Sequence, residues 1–301
     1  MSDHSGPGGS ALGLATCQGP DFNTKRPKTK APAGACDCHA HVFGPQDRFP
    51  YHPARSYDPP EATFDDYHKM HGVLGIERGV LVQSNVYATD NSAIEDAIAR
   101  SGGSLRGIAC VEPDVTDDEL ARLHAAGFRG IRLNMQFQGF DALDGVGDLA
   151  RRIEPMGWHL QLLADIYKFQ DALPRLTRLA VPVLFDHLGH MPVGHGIDAK
   201  PFQYLLAMMR AGGCWGKLSG PYRTTQEAGV PFSDTRPFVD ALLETAPDAL
   251  VWGTDWPHPH LDIPMVNDGD LLDLLVDWVP DEDLRHRILV DNPTVLFFNE
   301  G

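Results

Sequence analysis

The sequence predicts a (β/α)8 TIM barrel, and three observations carry that reading. Eight short, apolar, often β-branched runs alternate with longer amphipathic stretches from residue 35 onward. Polar residues collect at the C-terminal ends of those runs, where the strands of a barrel share one mouth. No G-x-G-x-x-G follows the first run, which counts against the alternative, a doubly wound dinucleotide-binding sheet.

The expected strands are 35–42, 78–84, 105–111, 129–134, 158–164, 181–187, 214–219 and 249–254. Between them, Asn91 to Arg100, Thr116 to Ala126, Pro201 to Arg210 and Arg236 to Glu244 have helical periodicity. Thr116-Asp117-Asp118-Glu119 has the capping-box pattern, and Gly127 supplies a stop. Alternation along the first strand puts His39 and His41 on one face with Asp37 behind them, and turns Cys38 and Ala40 towards helices. Residues 1–34 are rich in Gly, Pro, Ser and Lys. They predict a flexible N-terminal arm, or a segment ordered only by packing on a neighbour, ahead of a barrel over 35–301.

Composition narrows the function classes. A hydrophobic fraction of 43% can fill a sizeable core. No apolar run is long enough for a transmembrane helix, and no apolar signal core opens the chain. The five cysteines (Cys17, Cys36, Cys38, Cys110 and Cys214) are odd in number and lack zinc-ribbon spacing, which predicts reduced thiols and a cytoplasmic protein. The net charge is −16, although the arm is weakly basic through Lys25, Arg26, Lys28 and Lys30. An acidic body argues against nucleic acid or an anionic membrane as partner, and leaves homo-oligomer formation open.

The strand ends supply the candidate site. His39 and His41 form an H-x-H pair that can converge on one metal ion or one polarised oxygen. The second strand ends at Gln83-Ser84-Asn85 and the fourth turns Arg132 and Asn134 inward. The sixth ends at Asp186-His187, the seventh carries Lys217 and leads to Arg223, and the eighth ends at Asp255. Taken singly, His187 could be a core histidine, Lys217 a structural ion-pair partner and Arg223 a solvated loop charge. Their convergence at matching strand ends favours a site.

Four motifs then point to a family: His39-Ala40-His41, Asp186-His187-Leu188-Gly189, the run from Lys217 to Arg223, and Gly253-Thr254-Asp255-Trp256-Pro257-His258. Together they resemble the amidohydrolase superfamily, in its branch of lactonases that act in sugar-acid and aromatic-acid breakdown. The likeness runs from about residue 35 to the C-terminus, through Asp291-Asn292-Pro293-Thr294. It implies a catalytic group of His39, His41, His187 and Asp255, and substrate contacts from Arg132, Arg223, Ser84 and Tyr57. Strand five departs from the binuclear members, because His159 stands at its start rather than at the mouth. The pyrone-dicarboxylate lactonases carry more arginines than this chain, which has Gln138 and His190 near two of the places. That tilts the expected substrate towards the muconolactone and sulfomuconolactone types.

The residue types suit lactone hydrolysis. Asp255 can take a proton from water and return it to the leaving oxygen. His39, His41, His187 and Asp255 offer three nitrogens and one oxygen, a set that suits one zinc with an open position. Without metal, the histidines could donate to a developing oxyanion. Arg132, Arg223 and Lys217, with Ser84 and Asn134, would hold a small anionic lactone. Two alternatives stand beside this: a metal-dependent decarboxylase of the same superfamily, and a non-catalytic ligand-binding barrel. Ser84 lacks the G-x-S-x-G elbow of a serine hydrolase.

Overall fold

In the computed structural model, which describes Leu14 and residues 17–299, eight parallel strands pair in the order β1 to β8. They are β1 (Cys36–Ala40), β2 (Arg78–Val82), β3 (Leu105–Ala109), β4 (Phe128–Asn134), β5 (His159–Leu163), β6 (Val183–Phe185), β7 (Cys214–Leu218) and β8 (Leu250–Trp252). A helix follows each in turn: α1 (Phe64–Leu74), α2 (Ser92–Arg100), α3 (Asp117–Ala125), α4 (Val146–Ile153), α5 (Leu173–Leu176), α6 (Lys200–Arg210), α7 (Arg236–Thr245) and α8 (Asp268–Trp278). This is the (β/α)8 architecture expected from the alternating runs. The β1–β8 seam closes at the mouth, where His41 N–H donates to the Trp256 carbonyl at 2.7 Å and Asp255 N–H to the His39 carbonyl at 2.8 Å. That seam alone sets Asp255 beside the histidine pair.

Helix starts follow local chemistry. Thr63 and Asp66 close a full capping box on α1. At α3 the expected box is half formed: the Thr116 hydroxyl accepts from Glu119 N–H at 3.2 Å, but the Glu119 carboxylate turns forward to Arg122 at 2.7 Å. A carboxylate with a guanidinium one turn away gains more from that pair than from a backbone amide.

Residues 17–34, the part of the expected flexible arm that is described, lie along the barrel. Gln18 Nε2 donates to the carbonyls of Leu261 and Ile263 at 3.3 and 3.0 Å. Lys25 N–H donates to Asn267 Oδ1 at 2.9 Å, and Lys28 N–H to Asp273 Oδ1 at 2.7 Å. Gly269 permits the crossing, since a Cβ there would fall 2.2 Å from the Lys25 carbonyl oxygen. The remainder of the arm falls outside the described residues. All five cysteines are unpaired, and no helix among the described residues is long and apolar enough to cross a membrane.

Inside the barrel, Cys36, Cys38, Val80, Val82, Ile108, Leu184 and Val251 pack along the axis, and Phe297 joins them from the C-terminal helix Asn292–Phe297. His159 enters this layer from the start of β5. It is fully buried, edge-on to Phe297 with ring centroids 5.2 Å apart, and neither ring nitrogen has a hydrogen-bond partner among the described residues. Burial, reinforced by the Lys217 charge, lowers its pKa from 6.5 to about 3. The folded chain therefore holds this ring neutral while the unfolded chain protonates it, so stability falls as pH drops from 6.5 towards 3. Acidifying to pH 5 costs about 2 kcal/mol from this residue. His159→Leu removes the titration, so calorimetry should show a smaller fall in Tm between pH 7 and pH 5 than in the parent. Equal falls would mean that the native ring takes up a proton as readily as the unfolded one.

Candidate active site

The site begins with an irregularity in β1. Asp37 pairs with Gly79 and Ala40 with Leu81, three residues against two, so β1 carries a bulge at Cys38-His39. Before the bulge, Cys36 and Cys38 face the axis and Asp37 faces outward. The Asp37 carboxylate accepts from Tyr67 and Thr254 hydroxyls at 3.2 and 2.6 Å. After it, His39 and His41 face inward above the cysteines. The expectation that Asp37 lies behind the histidines and that Cys38 packs under helices is thus reversed, because the bulge resets the alternation. Gly253 serves the same corner: a Cβ there would sit 2.6 Å from His39 N.

Three imidazole edges converge on one carboxylate oxygen. Asp255 Oδ1 lies 3.6 Å from His39 Nε2, 3.8 Å from His41 Nε2 and 3.9 Å from His187 Nε2. Donor atoms of His39, His187 and Asp255 all fall within 4.8 Å of one another, while His41 stands just outside that group. Neither Asp255 Oδ1 nor His39 Nε2 has a hydrogen-bond partner among the described residues. The far sides of the rings are fixed. His41 Nδ1 is 2.6 Å from the Val82 carbonyl, His187 Nδ1 is 3.0 Å from the Ser219 hydroxyl, and His39 Nδ1 is 3.2 Å from Asp186 Oδ1. Burial lowers the pKa of all three, with Lys217 adding to the effect at His39 and Arg132 at His41. They are neutral rings near pH 7.

The backbone is strained here. His187, His190, Asp255, His258 and His260 have φ of 49°, 54°, 65°, 57° and 59°. Such non-glycine conformations cost on the order of 1–3 kcal/mol each and persist where surrounding structure enforces them, commonly at functional sites.

The charged groups divide into two layers. Lys217, expected among the substrate contacts, is fully buried beneath the histidines, 3.3 Å from Asp186 Oδ1 and 3.0 Å from His39 Nδ1, and does not line the cavity above them. Arg132 donates to the Gln83 carbonyl at 2.8 Å and lies 3.8 Å from Asp186, and its Nε has no hydrogen-bond partner among the described residues. Arg223 Nε donates to Asp255 Oδ2 at 2.5 Å, beside the Tyr222 hydroxyl at 2.9 Å. Burial pushes the Asp255 carboxyl up, but the Arg223 guanidinium beside it outweighs that and holds the pKa well below the usual range.

A cavity of about 330 Å³ opens above this cluster, lined among others by Tyr57, Arg132, Asn134, His187, Arg223 and Asp255. Ser84 lies behind Tyr57. Its hydroxyl is 2.9 Å from the Tyr57 hydroxyl and accepts from Val86 N–H at 3.2 Å. Of the two positions singled out for missing arginines, His190 lines the cavity. Gln138 does not, and its place is taken by Gln136, 3.3 Å from His190 Nδ1. Tyr222 and His260 also line it and were not expected as site residues.

A family model described as amidohydrolase matches residues 36–298. The chain belongs to that family. Among curated relatives, it is 41% identical to 4-sulfomuconolactone hydrolase of Rhizobium radiobacter over 95% of this chain and 97% of that one. It is 37% identical to a 2-pyrone-4,6-dicarboxylate hydrolase of Comamonas testosteroni, over 92% and 94% respectively. A crystal structure of a probable 2-pyrone-4,6-dicarboxylic acid hydrolase from Acinetobacter baumannii, with citric acid bound, superimposes with a TM-score of 0.77. That likeness is at 30% identity and covers 88% of this chain and 99% of the other.

Proposed function

We propose that the protein is a lactonase that opens the ring of a small acidic lactone of the muconolactone, sulfomuconolactone or pyrone-dicarboxylate type. One observation carries this reading. Asp255 Oδ1 is left without a hydrogen-bond partner where three imidazole edges converge below a cavity lined by two arginines. Oδ2 is committed to Arg223 and Tyr222, so Oδ1 is the atom that takes a proton from water and returns it to the departing ring oxygen. Arg132 and Arg223 hold the acidic group of the substrate, with Tyr57, Asn134, Gln136 and His190 around them. The relatives named as hydrolases of a sulfomuconolactone and a pyrone dicarboxylate support the same substrate class.

The donor set also fits one zinc ion. The Val82 carbonyl can only accept, so His41 carries its hydrogen on Nδ1 and turns an Nε2 lone pair towards Asp255 Oδ1. Two lone pairs facing each other in a buried site favour a cation between them. His39, backed by the Asp186 carboxylate, and His187 complete the set. Zinc bound there would supply Lewis acidity to the lactone carbonyl and lower the pKa of nearby water. Without it, His187, whose Nδ1 faces a hydroxyl that can donate, is the ring free to donate to the oxyanion.

Two measurements test this. Ring opening followed by pH-stat should release one proton per acidic lactone consumed, with no carbon dioxide; carbon dioxide would turn the reading to decarboxylation, against which His159 at the barrel bottom already argues. Purified protein should carry close to one equivalent of zinc, and His39→Ala should lower metal content and rate together. Full activity in metal-free protein would assign the histidines to direct hydrogen bonding.

A further inference from the structure

A chain of buried polar groups runs from Asp255 away from the cavity to the first turn of α8. The Tyr222 hydroxyl donates to Asp255 Oδ2 at 2.9 Å. Its oxygen lies 2.7 Å from His258 Nδ1, and His258 Nε2 lies 3.2 Å from Asp268 Oδ1. His258 and Asp268 are each 1% exposed and Tyr222 is 7% exposed. Neither Asp268 oxygen nor His258 Nε2 has a hydrogen-bond partner among the described residues, so the two groups meet at ion-pair distance rather than through an aligned hydrogen bond. The Tyr222 hydroxyl thus bridges Asp255 Oδ2 and His258 Nδ1, and the Asp268 carboxylate faces the other nitrogen of the ring. His258 is held by its left-handed backbone and by its own N–H, which donates to the Asp255 carbonyl at 2.7 Å. A carboxylate buried against a single ring is costly in a purely structural role, where apolar side chains of similar volume would do as well or better.

We propose that Tyr222, His258 and Asp268 form a positioning chain for Asp255. Asp268 orients His258, His258 orients the Tyr222 hydroxyl, and Tyr222 fixes Asp255 Oδ2 together with Arg223. The carboxylate then cannot rotate, and Oδ1 stays bare towards the three imidazoles. This rests on the reading of Asp255 as the proton-taking group in lactone opening. None of the three is a catalytic residue, because each acts through Asp255 or through the next member of the chain.

The test is a double-mutant cycle with sulfomuconolactone as probe substrate. Tyr222→Phe, which removes one oxygen, should lower kcat by about ten- to thirtyfold with KM within about twofold. His258→Leu should lower kcat in the parent background but by less than about twofold more in the Tyr222→Phe background. His258→Asn, whose amide reaches the Nδ1 position, should retain more kcat than His258→Leu. If His258→Leu does not fold, His258→Asn carries the comparison in both backgrounds. An unchanged kcat in Tyr222→Phe, or the same loss from the His258 variant in both backgrounds, overturns the chain. A second readout needs no substrate: in ring-15N-labelled protein, Tyr222→Phe should move the His258 Nδ1 resonance. A moved resonance in a protein that opens no acidic lactone keeps the chain and sinks the lactonase reading. An unmoved resonance sinks the chain itself.

Discussion

Asp255→Asn should fold and lose lactone turnover by on the order of 10²–10⁴. The substitution hardly changes volume at a fully buried position, so the site keeps its shape. What changes is the proton inventory. Arg223 and the Tyr222 hydroxyl both donate to Oδ2, so the amide of the variant turns its oxygen to them. Its NH2 then faces the imidazole edges, and no base remains at the Oδ1 position. Breaking the buried pair with Arg223 also costs stability, about 3–5 kcal/mol, so the assay belongs well below the lowered Tm. Near-parent turnover in variant shown folded by circular dichroism would remove Asp255 from the mechanism.

The barrel was legible because each strand is a separate apolar run, and alternation within β4 placed Arg132 and Asn134 inward as expected. The reading of β1 failed on one inserted residue. A bulge leaves no mark in composition, and it reverses every inward and outward assignment before it. Lys217 was read one layer too high. Its strand and its facing direction were right, but sequence does not give depth along a barrel axis, and only the Asp186 contact shows that the ammonium is consumed below the histidines. Tyr222 and Gln136 come from single helical turns (Pro221–Arg223 and Met135–Gln138), and His258 and His260 from a loop, too short or irregular for any period to place them. A retrospective signal existed for His258, which belongs to the Gly253–His258 motif. The described arm residues were unreadable for a similar reason: their partners, Leu261, Ile263, Asn267 and Asp273, lie more than 240 positions away.

Arg132→Met should lose catalytic efficiency on acidic lactones by about ten- to a hundredfold and leave neutral lactones nearly untouched, whereas Arg223→Met should lose it on both. Each lost charged hydrogen bond to substrate is worth roughly 1.5–3 kcal/mol. The chain carries a net charge of −16, so its overall field repels anions and an acidic substrate needs these local guanidinium groups. Their second roles differ. Asp186, the anionic neighbour of Arg132, keeps Lys217 at 3.3 Å, so removing Arg132 leaves the catalytic cluster paired. Arg223 Nε is 2.5 Å from Asp255 Oδ2 and is the strongest influence lowering that carboxyl against the upward push of burial. Removing it raises the Asp255 pKa, so the acid limb of the rate profile should move to higher pH with either kind of substrate. Arg132→Met should leave that limb closer to its place. Equal losses on acidic and neutral lactones in Arg132→Met would show that Arg132 supports the Gln83 and Asp186 backing of the site rather than the charge of the substrate.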